Sequence, residues 1–450
     1  MSAQRRSEAV DPAKGAQPPV AFSYGRLFVL GLGFLVITLS WSVYNAYVPL
    51  FLGEALADRP YRTALVGAIM TFDNVAAVTL QPWVGALSDR TWTRIGRRMP
   101  YLAAGIPVAA LSFTLIPLVR AHLAWMLAGL VVMNVAMATF RAPAVALMPD
   151  ITPSPLRSKA NGIINFMGGL GALVALFGFS SLYRVDPALP FAATSVLMLA
   201  VLAILLRAIR EPRPAEGPAA AATDDGEAGG ALQASSRAGG GILRALVEVW
   251  RDPDRSTRHL LLAIFCWFIG WSGVEALFTL YGVEVWGMQP ADASFVLGFF
   301  PLAFLIFSIP AGIIATAAGR RRTILAGLAG LVAMLLVMAG VGPGMGLRVA
   351  LLGAGLFWAL VNINSYPMVV DATTASRTGA YTGLYYLFST LAAIVAPPVF
   401  GWLMDVLGRG VMFPAAAVAM AVASGLMLRV RRGEAPRTAA AAAPDQAAAS

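Results

Sequence analysis

The chain has 450 residues, of which 58% are hydrophobic and 12% charged, and its mean hydropathy is +0.72. Soluble domains carry about twice that share of charged residues, so the composition excludes an ordinary soluble protein and predicts a membrane protein. The net charge of +10 could suggest a nucleic-acid partner, but the arginines lie at the ends of apolar runs and in the loops between them, which argues against one. The single cysteine, Cys266, excludes an internal disulfide.

Twelve apolar runs are long enough to cross a bilayer, whose hydrocarbon core of ~30 Å needs about 20 helical residues. The first six are 27–51, 63–87, 100–119, 123–148, 160–183 and 189–208. The second six are 260–283, 293–316, 323–342, 347–370, 379–403 and 410–430. The short alternating segments of membrane barrels are not seen, so the sequence predicts an all-α membrane protein with twelve transmembrane helices. No signal peptide is expected, because the N-terminal stretch is polar and no cleavage site follows a short apolar region.

A long gap between the sixth and seventh runs divides the chain into two bundles of six helices. The predicted segments are an N-terminal tail 1–26, a first bundle 27–208, a linker 209–259, a second bundle 260–430 and a disordered tail 431–450. The middle of the linker is rich in Ala, Gly, Pro and Ser, which is typical of a flexible segment. Its last part, "ILRALVEVWRDPDR", has helical apolar spacing and is expected to lie on the inner membrane surface.

The distribution of basic residues predicts the orientation. With the N-terminus inside, the inner segments hold 26 of the 33 lysines and arginines, and the outer loops hold six. Cytoplasmic loops carry the excess of Lys and Arg in membrane proteins. We therefore expect a multi-pass protein of the cell (inner) membrane with both termini in the cytoplasm.

The two halves of the chain resemble each other. "MPDITPSPLRSKANGIINF" (148–166) can be aligned with "VVDATTASRTGAYTGLYYL" (369–387). The corresponding or near-corresponding pairs are Asp150 and Asp371, Arg157 and Arg377, Asn161 and Tyr381, Asn165 and Tyr385, and Arg141 and Asn362. Repeated halves are a feature of secondary transporters, which bind substrate near the membrane midplane between the halves. The alternative is chance similarity between spans rich in Ala and Gly.

The loop after the second run carries a recognisable motif. "GALSDRTWTRIGRR" (85–98) resembles the loop signature of the major facilitator superfamily. The longer "QPWVGALSDRTWTRIGRRMPYL" (81–102) resembles the sucrose-transporter branch and its glycoside–pentoside–hexuronide:cation symporter relatives. The resemblance covers roughly residues 25–430. It implies the major facilitator fold, with two pseudo-symmetric six-helix bundles that work by alternating access, and a monomer.

Two positions depart from these relatives. The melibiose-type relatives carry an Asp, used in sodium binding, directly before the proline of the loop, whereas this chain has Gln81 before Pro82. Plant sucrose carriers carry an Arg near the end of the fourth span, whereas here Arg141 lies about a turn earlier and Val145 holds the nearer position. The resemblance therefore implies neither sodium coupling nor sucrose as the substrate.

The same loop predicts a cytoplasmic gate. Arginines offer planar, bidentate donors to carboxylates, so Asp89, Arg97 and Arg98 could hold the inner ends of the spans together with Asp150. Such a latch would hold the outward-open state and break when the carrier opens inward. The motif and the repeat add further gate candidates, namely Gly85, Arg90, Gly96, Arg157, Asp371 and Arg377. The alternative is that the arginines only fix the topology.

Three ionisable residues lie well inside the predicted spans: Asp73, Arg141 and Glu275. Each costs about 2.5–3.5 kcal/mol on insertion scales, so such residues normally face a cavity and mark function. Asp73 and Arg141 belong to the same half and are expected to pair, and both carboxyl groups are candidates for proton coupling. The alternatives are a structural ion pair for Asp73 with Arg141, and exposure to the outer vestibule for Glu275.

Amide and aromatic side chains supply the other groups that a sugar site needs, which are fixed donors and acceptors and a flat apolar face. The substrate-binding candidates are Tyr44, Asn45, Asn74, Gln81, Asn161, Asn165, Trp271, Trp358, Asn362, Asn364, Tyr381 and Tyr385. The alternatives are hydrogen bonding between helices for the amides and interfacial belts for the aromatic residues.

These observations predict a secondary transporter that imports a sugar or glycoside with a proton. One rival is an exporter of amphipathic compounds by proton antiport, and another is a membrane sensor without turnover, which would need a signalling domain. An enzyme is not expected, since the sequence has no P-loop, no H-E-x-x-H and no histidine deep in a span. The expected partners are the lipid bilayer and a small-molecule substrate. No cofactor or metal is expected; the coupling ion is a proton, with Na+ left open.

Overall fold

The computed structural model describes residues 24–152, 156–209, 211, 239–373 and 377–433. The regular elements of these residues are helices, and the described part of the chain contains no β-strand. Twelve of the helical segments are long and apolar enough to cross a membrane. The predicted number of spans and the all-α fold class are confirmed. The predicted flexible middle of the linker, most of the N-terminal tail and nearly all of the C-terminal tail lie outside the described residues.

The first half contains six spans, each within a few residues of its predicted limits. Spans 1 to 6 are Tyr24–Ala55, Arg62–Arg90, Met99–Leu118, Leu123–Ile151, Arg157–Val185 and Leu189–Ala208. Span 2 consists of two helices, Arg62–Met70 and Phe72–Arg90. Span 5 contains a π-helical turn at Val174–Gly178, between Arg157–Leu173 and Phe179–Val185.

The second half repeats this arrangement. Spans 7 to 12 are Ser256–Glu284, Pro290–Ala318, Arg320–Gly340, Met345–Val370, Thr378–Leu407 and Arg409–Met427. Span 8 consists of the helices Pro290–Leu297 and Phe299–Ala318, and span 12 opens with a 3-10 turn at Arg409–Val411 before the helix Met412–Met427. The interruption of span 8 therefore falls in the same region of its half as the one in span 2.

The spans end on two faces of the molecule. The basic face is the one on which residues 91–98, 251–255, 371–373 and 428–433 lie, and the opposite face carries residues 56–61, 186–188, 285–289 and 341–344. On the basic face, a linker helix, Gly239–Arg251, precedes span 7 and packs on span 11. Trp250 of this helix stacks on Phe388. The helical spacing predicted for this part of the linker is confirmed.

The halves meet along a limited set of spans. Span 1 packs on span 7, span 2 on span 11, and span 5 on span 8. Among the described residues, spans 4 and 10 make no extensive contact with each other. The described hydrogen bonds and ion pairs between the halves lie between the midplane and the opposite face. The two halves are thus joined at the opposite face and parted toward the basic face.

Candidate functional site

Three charged side chains lie well inside their spans. With a rise of about 1.5 Å per residue, Asp73 lies about 16 Å from the start of span 2 at Arg62. By the same measure, Arg141 lies about 15 Å from the end of span 4, and Glu275 about 14 Å from the end of span 7 at Glu284. The distances of Asp73 and Glu275 are counted from one face and that of Arg141 from the other. All three residues lie within the twelve long apolar helices, as the sequence predicts, and their roles stay a prediction.

The predicted pairing of Asp73 with Arg141 is not found. The described ion pairs do not include these two residues, although their charges are close enough to interact. The Asp73 carboxylate instead accepts hydrogen bonds from the backbone N–H of Asn74 at 2.6 Å and from its side-chain amide at 2.7 Å. Among the described contacts, the Arg141 guanidinium donates no hydrogen bond to protein, so its donors remain for water or a ligand.

Glu275 brings a second carboxylate to this layer from the other half. Its charge interacts with that of Asp73 across the boundary between the halves, and the Trp271 side chain is its nearest polar neighbour. Asp73, Arg141 and Glu275 are each half-buried, so part of every side chain stays accessible although all three lie deep in the molecule. We name these three residues the charged layer.

A buried amide missed by the sequence analysis lies beside the charged layer. Asn134 of span 4 is 1% exposed and donates hydrogen bonds to the Leu130 carbonyl at 3.0 Å and to the Tyr44 hydroxyl at 3.5 Å. The oxygen of the Asn134 amide has no described partner. The sequence does indicate this residue, because Asn134 lies two helical turns before Arg141 and therefore on the same face of span 4.

The second half contributes an aromatic wall. Trp271 stacks on Phe300 with ring centroids 3.9 Å apart and on Trp358 at 5.3 Å. The Tyr385 hydroxyl lies 3.0 Å from that of Ser365. Phe268 meets both Trp358 and Tyr385 edge to face. The predicted aromatic residues Trp271, Trp358 and Tyr385 therefore lie together, whereas the phenylalanines that complete the wall were not predicted.

The remaining substrate-binding candidates occupy different environments. Asn364 is buried and donates hydrogen bonds to the carbonyls of Ala311 at 3.3 Å and Leu360 at 2.9 Å, so it joins spans 8 and 10 rather than facing the charged layer. Gln81 is also buried. Asn165 is exposed, and Asn45, Asn74, Asn161 and Asn362 are half-buried. Tyr381 lies near the basic face, where it borders a cavity of about 1280 Å³ formed with the linker helix.

The predicted latch residues form an ion-pair network on the basic face. Arg97 pairs with Asp150 at 2.5 Å, and Arg98 pairs with Asp89 at 2.5 Å and with Asp150 at 3.0 Å. Arg98 also donates to the Ser88 hydroxyl and, at 3.5 Å, to the Gly85 carbonyl. The Arg98 side chain is 3% exposed, so the centre of the network is shielded from water, whereas Arg97 and Asp89 at its edge are each 29% exposed. It ties together the ends of spans 2, 3 and 4.

A carboxylate that the sequence analysis missed anchors the same loop. Glu211, just after span 6, accepts hydrogen bonds at 2.9 Å from the backbone N–H groups of Arg97, Arg98 and Met99. These N–H groups open span 3, where a helix has no internal acceptors for them and favours negative charge. Gly96 makes the approach possible, since its φ is +116° and a Cβ there would lie 2.5 Å from a Glu211 carboxylate oxygen.

The other gate candidates have their own partners. Arg320 pairs with Asp371 and donates to the Pro367 carbonyl at 3.3 Å, which repeats in the second half the pairing of Asp150 in the first. Arg377 pairs with Glu248 of the linker helix. Arg157 donates to the Pro149 carbonyl at 3.4 Å. Arg90 is exposed and has no ion pair among the described residues.

The predicted behaviour of the latch is corrected by these contacts. The Arg97 and Arg98 network lies within the first half, and the Arg320 pair lies within the second half. Both are intact although the halves are parted on this face. The network therefore does not link the two halves in this state and does not break when the molecule opens toward the basic face. Its contacts fix the position of three spans relative to one another.

The fold and the charged layer define a secondary transporter with two six-helix halves around a polar centre. The family model of the Major Facilitator Superfamily matches residues 30–397 and 284–449, and the chain belongs to this superfamily. Its multi-pass membrane character follows from the family and the twelve spans.

Similar proteins are known by sequence and by structure. The general alpha-glucoside permease of Schizosaccharomyces pombe is 26% identical over 217 residues, which are 44% of this chain and 38% of the permease. Among solved structures, the nucleoside transporter NupG has a TM-score of 0.70 at 11% identity, covering 90% of this chain and 100% of NupG. A D-xylose-proton symporter has a TM-score of 0.66 at 14% identity, covering 91% and 98%. These likenesses in structure show the fold alone.

Proposed function

We propose that this protein imports a sugar or glycoside together with a proton by alternating access. The observation that carries the proposal is the charged layer, in which the Asp73 carboxylate of the first half interacts both with Arg141 and with the Glu275 carboxylate of the second half. A net charge at this depth opposes the conformational change that opens the site first to one side of the membrane and then to the other. Binding one proton leaves one carboxylate and one guanidinium, and the layer is then neutral.

The proposal places the basic face in the cytoplasm of the cell membrane. The support is the excess of Lys and Arg on that face, which follows the rule for cytoplasmic loops. In this orientation the described state is open toward the cytoplasm and closed toward the outside. Nothing in the proposal requires a second copy of the chain, and we propose a monomer.

Glu275 and Asp73 have different roles in this proposal. Glu275 faces the aromatic wall and has no described cation partner, so it takes up and releases the proton. Asp73 is held by Asn74 and interacts with Arg141. It keeps the guanidinium of Arg141 in place to donate hydrogen bonds to the substrate.

The sugar assignment rests on the composition of the two walls. The first half offers hydrogen-bonding groups at the half-buried Asn74 and Arg141, and the second half offers the half-buried ring of Trp271, which stacks on the buried Trp358. Sugars combine hydroxyl groups with an apolar C–H face, and such walls complement both. The partial likeness to an alpha-glucoside permease supports the same substrate class.

Uptake into proteoliposomes tests the proposal. Labelled sucrose, maltose, glucose and a pentose would be offered with and without an inward proton gradient. We expect one of them to accumulate above its external concentration only when the gradient is present. Vesicles with protein of the Arg141→Gln variant serve as the control, in which accumulation should be lost.

The same experiment distinguishes the sugar importer from the rival function, an exporter of amphipathic compounds. If no sugar enters vesicles that contain folded protein, and an amphipathic compound is instead moved against its gradient in exchange for protons, the sugar proposal is wrong. If sugar enters at the same rate with and without the proton gradient, the proposed substrate class stands and the proposed proton coupling is wrong.

A further inference from the structure

The linker helix carries two rows of apolar side chains, and the protein covers only one of them. Ala245 and Val249 are buried where this helix packs on span 11. The second row is open: Leu243 is 66% exposed, and Val247 and Trp250 are exposed as well. Their spacing of four and three residues places them on one face of the helix. We name these three residues the exposed stripe, and it lies beside a membrane-spanning helix.

The cavity of about 1280 Å³ on the basic face borders the exposed stripe. Its walls are the linker helix, residues 371–373 after span 10, the start of span 11, and Arg432. Leu243 and Val247 form its apolar edge. Four arginines line it as well, namely Arg244, Arg251, Arg377 and Arg432. The cavity therefore combines an apolar edge with a cationic wall.

Every carboxylate that lines this cavity already has an arginine as its partner. The pairs are Glu248 with Arg377, Asp252 with Arg432, and Asp371 with Arg320. Arg244 and Arg251 are exposed, and neither has an ion pair among the described residues. The cavity thus holds an excess of positive charge, which is concentrated on the linker helix.

The positions of these two arginines indicate which kind of anion fits. Arg244 and Arg251 are seven residues apart, which places them two turns apart on one side of the linker helix. Each directly follows a residue of the exposed stripe, so a cationic row runs next to an apolar row. A small free anion uses only the guanidinium groups. A phospholipid with an anionic headgroup uses both rows, since its phosphate binds arginine and its acyl chains cover apolar side chains.

We propose that this cavity is a binding site for an anionic phospholipid from the leaflet at the basic face. Arg244 and Arg251 hold the phosphate, and the acyl chains lie along Leu243 and Val247. The bound lipid fastens the linker helix to the membrane beside span 11. The site is separate from the charged layer and does not depend on which solute is carried.

Native mass spectrometry of the full chain in detergent tests the site. The protein is titrated with dioleoyl phosphatidylglycerol or with the zwitterionic dioleoyl phosphatidylcholine, and the dissociation constant of the first bound lipid is measured. The test variant combines Arg244→Gln with Arg251→Gln. The matched control combines Arg94→Gln with Arg322→Gln, which removes two exposed arginines of the same face that lie outside the cavity. Gel filtration establishes that both variants are folded.

We expect the parent protein to bind phosphatidylglycerol at least about tenfold more tightly than phosphatidylcholine, because two unpaired arginines attract the anionic headgroup. The test variant should lose this preference and the control should keep it. Equal binding of the two lipids by the parent, or an equal loss of preference in the control, would overturn the site.

Two further measurements distinguish a phospholipid from a free anion. Val247→Asn keeps both arginines and interrupts the exposed stripe, so it should weaken phosphatidylglycerol binding by about threefold or more. An excess of glycerophosphoglycerol, the same headgroup without acyl chains, should leave the lipid bound. Unchanged binding in Val247→Asn, or displacement of the lipid by the free headgroup, would overturn the phospholipid assignment. Binding in detergent needs no transport, so a failure of the sugar proposal would leave these results interpretable.

Discussion

At the scale of single residues, the two membrane carboxylates differ in what surrounds them. Asp73 is held by two hydrogen bonds from Asn74 and interacts with Arg141. Glu275 lies beside Trp271, at the edge of a small apolar cavity of about 20 Å³, and no described cation pairs with it. Protonation removes an uncompensated charge only at Glu275. This difference is the reason that Glu275, rather than Asp73, is proposed as the residue that carries the proton.

We expect Glu275→Gln to abolish accumulation driven by a proton gradient while sparing counterflow exchange, because glutamine imitates the neutral side chain and cannot release a proton. The measurement compares the two modes in the same vesicles. The control is Glu248→Gln, an exposed position on the linker helix, which should retain both modes. Accumulation that persists in Glu275→Gln would place the proton site elsewhere.

Arg98 is the hub of the network on the basic face, and its side chain is nearly inaccessible. We expect Asp150→Asn to lower the free energy of unfolding by about 3 kcal/mol, because Arg98 keeps only Asp89 as an ion-pair partner and Arg97 loses its described ion pair. Thermal unfolding in detergent measures the loss. Asp89→Asn, at a more exposed carboxylate, should cost less; a larger loss than in Asp150→Asn would contradict the network as described.

The sequence revealed some of these residues and not others, for physical reasons. Asp150 was found because the repeat and the motif both pointed to the end of span 4. Glu211 was missed because its partners are backbone N–H groups far away in the chain, which leave no side-chain pattern. Asn364 was placed in the site because spacing cannot show which neighbour a buried amide faces, and it bonds to span 8.

At the scale of elements, the loop between spans 2 and 3 depends on one glycine. Gly96 has a left-handed backbone and lies against Glu211, which caps span 3. We expect Gly96→Ala to destabilise the protein by about 2–3 kcal/mol, the strain of the backbone plus the displaced cap. The comparison is Gly287→Ala, where φ is +63° and a Cβ would meet open space.

Thermal unfolding of the two variants separates the two contributions. Gly287→Ala should cost about 1 kcal/mol, the strain of a left-handed backbone alone. Equal losses in the two variants would mean that the contact with Glu211 adds nothing to stability. Such a result would contradict the role of Glu211 as a cap that stabilises the start of span 3.

The helix limits were easier to predict than the interruptions within them. Length and hydropathy locate each span because the bilayer demands about 20 apolar residues. No length or hydropathy rule predicts the π-helical turn at Val174–Gly178. This turn lies where Phe177 packs against Phe295 and Phe299 of the other half. Its partners are distant in the chain, so a local sequence pattern could not reveal it.

At the scale of the whole molecule, composition, twelve apolar runs and the repeat were enough to predict the fold and the central position of the charged layer. They could not predict which face was closed. That depends on contacts such as Arg62 with Glu284 and Thr63 with Asp405, which join residues 222 and 342 positions apart in the chain. The state of the carrier is a property of these long-range contacts.

The latch predicted from the motif does not join the two halves in the structure, because its arginines have carboxylate partners within their own half. Arginines in a loop between two spans can reach carboxylates of the same bundle, and Arg97 and Arg98 do so. Linking the halves requires a residue at their boundary, which Glu284 is. The basic-face network therefore stabilises one half, and the ion pair of Glu284 with Arg62 on the opposite face joins the two halves.

The most direct test of the central claim is proton movement caused by sugar. Proteoliposomes at equal pH inside and outside, loaded with a pH-sensitive dye, would receive the sugar that the uptake assay identifies. The account predicts acidification of the interior with the wild-type protein and none with Glu275→Gln. Sugar entry with no change in internal pH, or with proton movement outward, would contradict it.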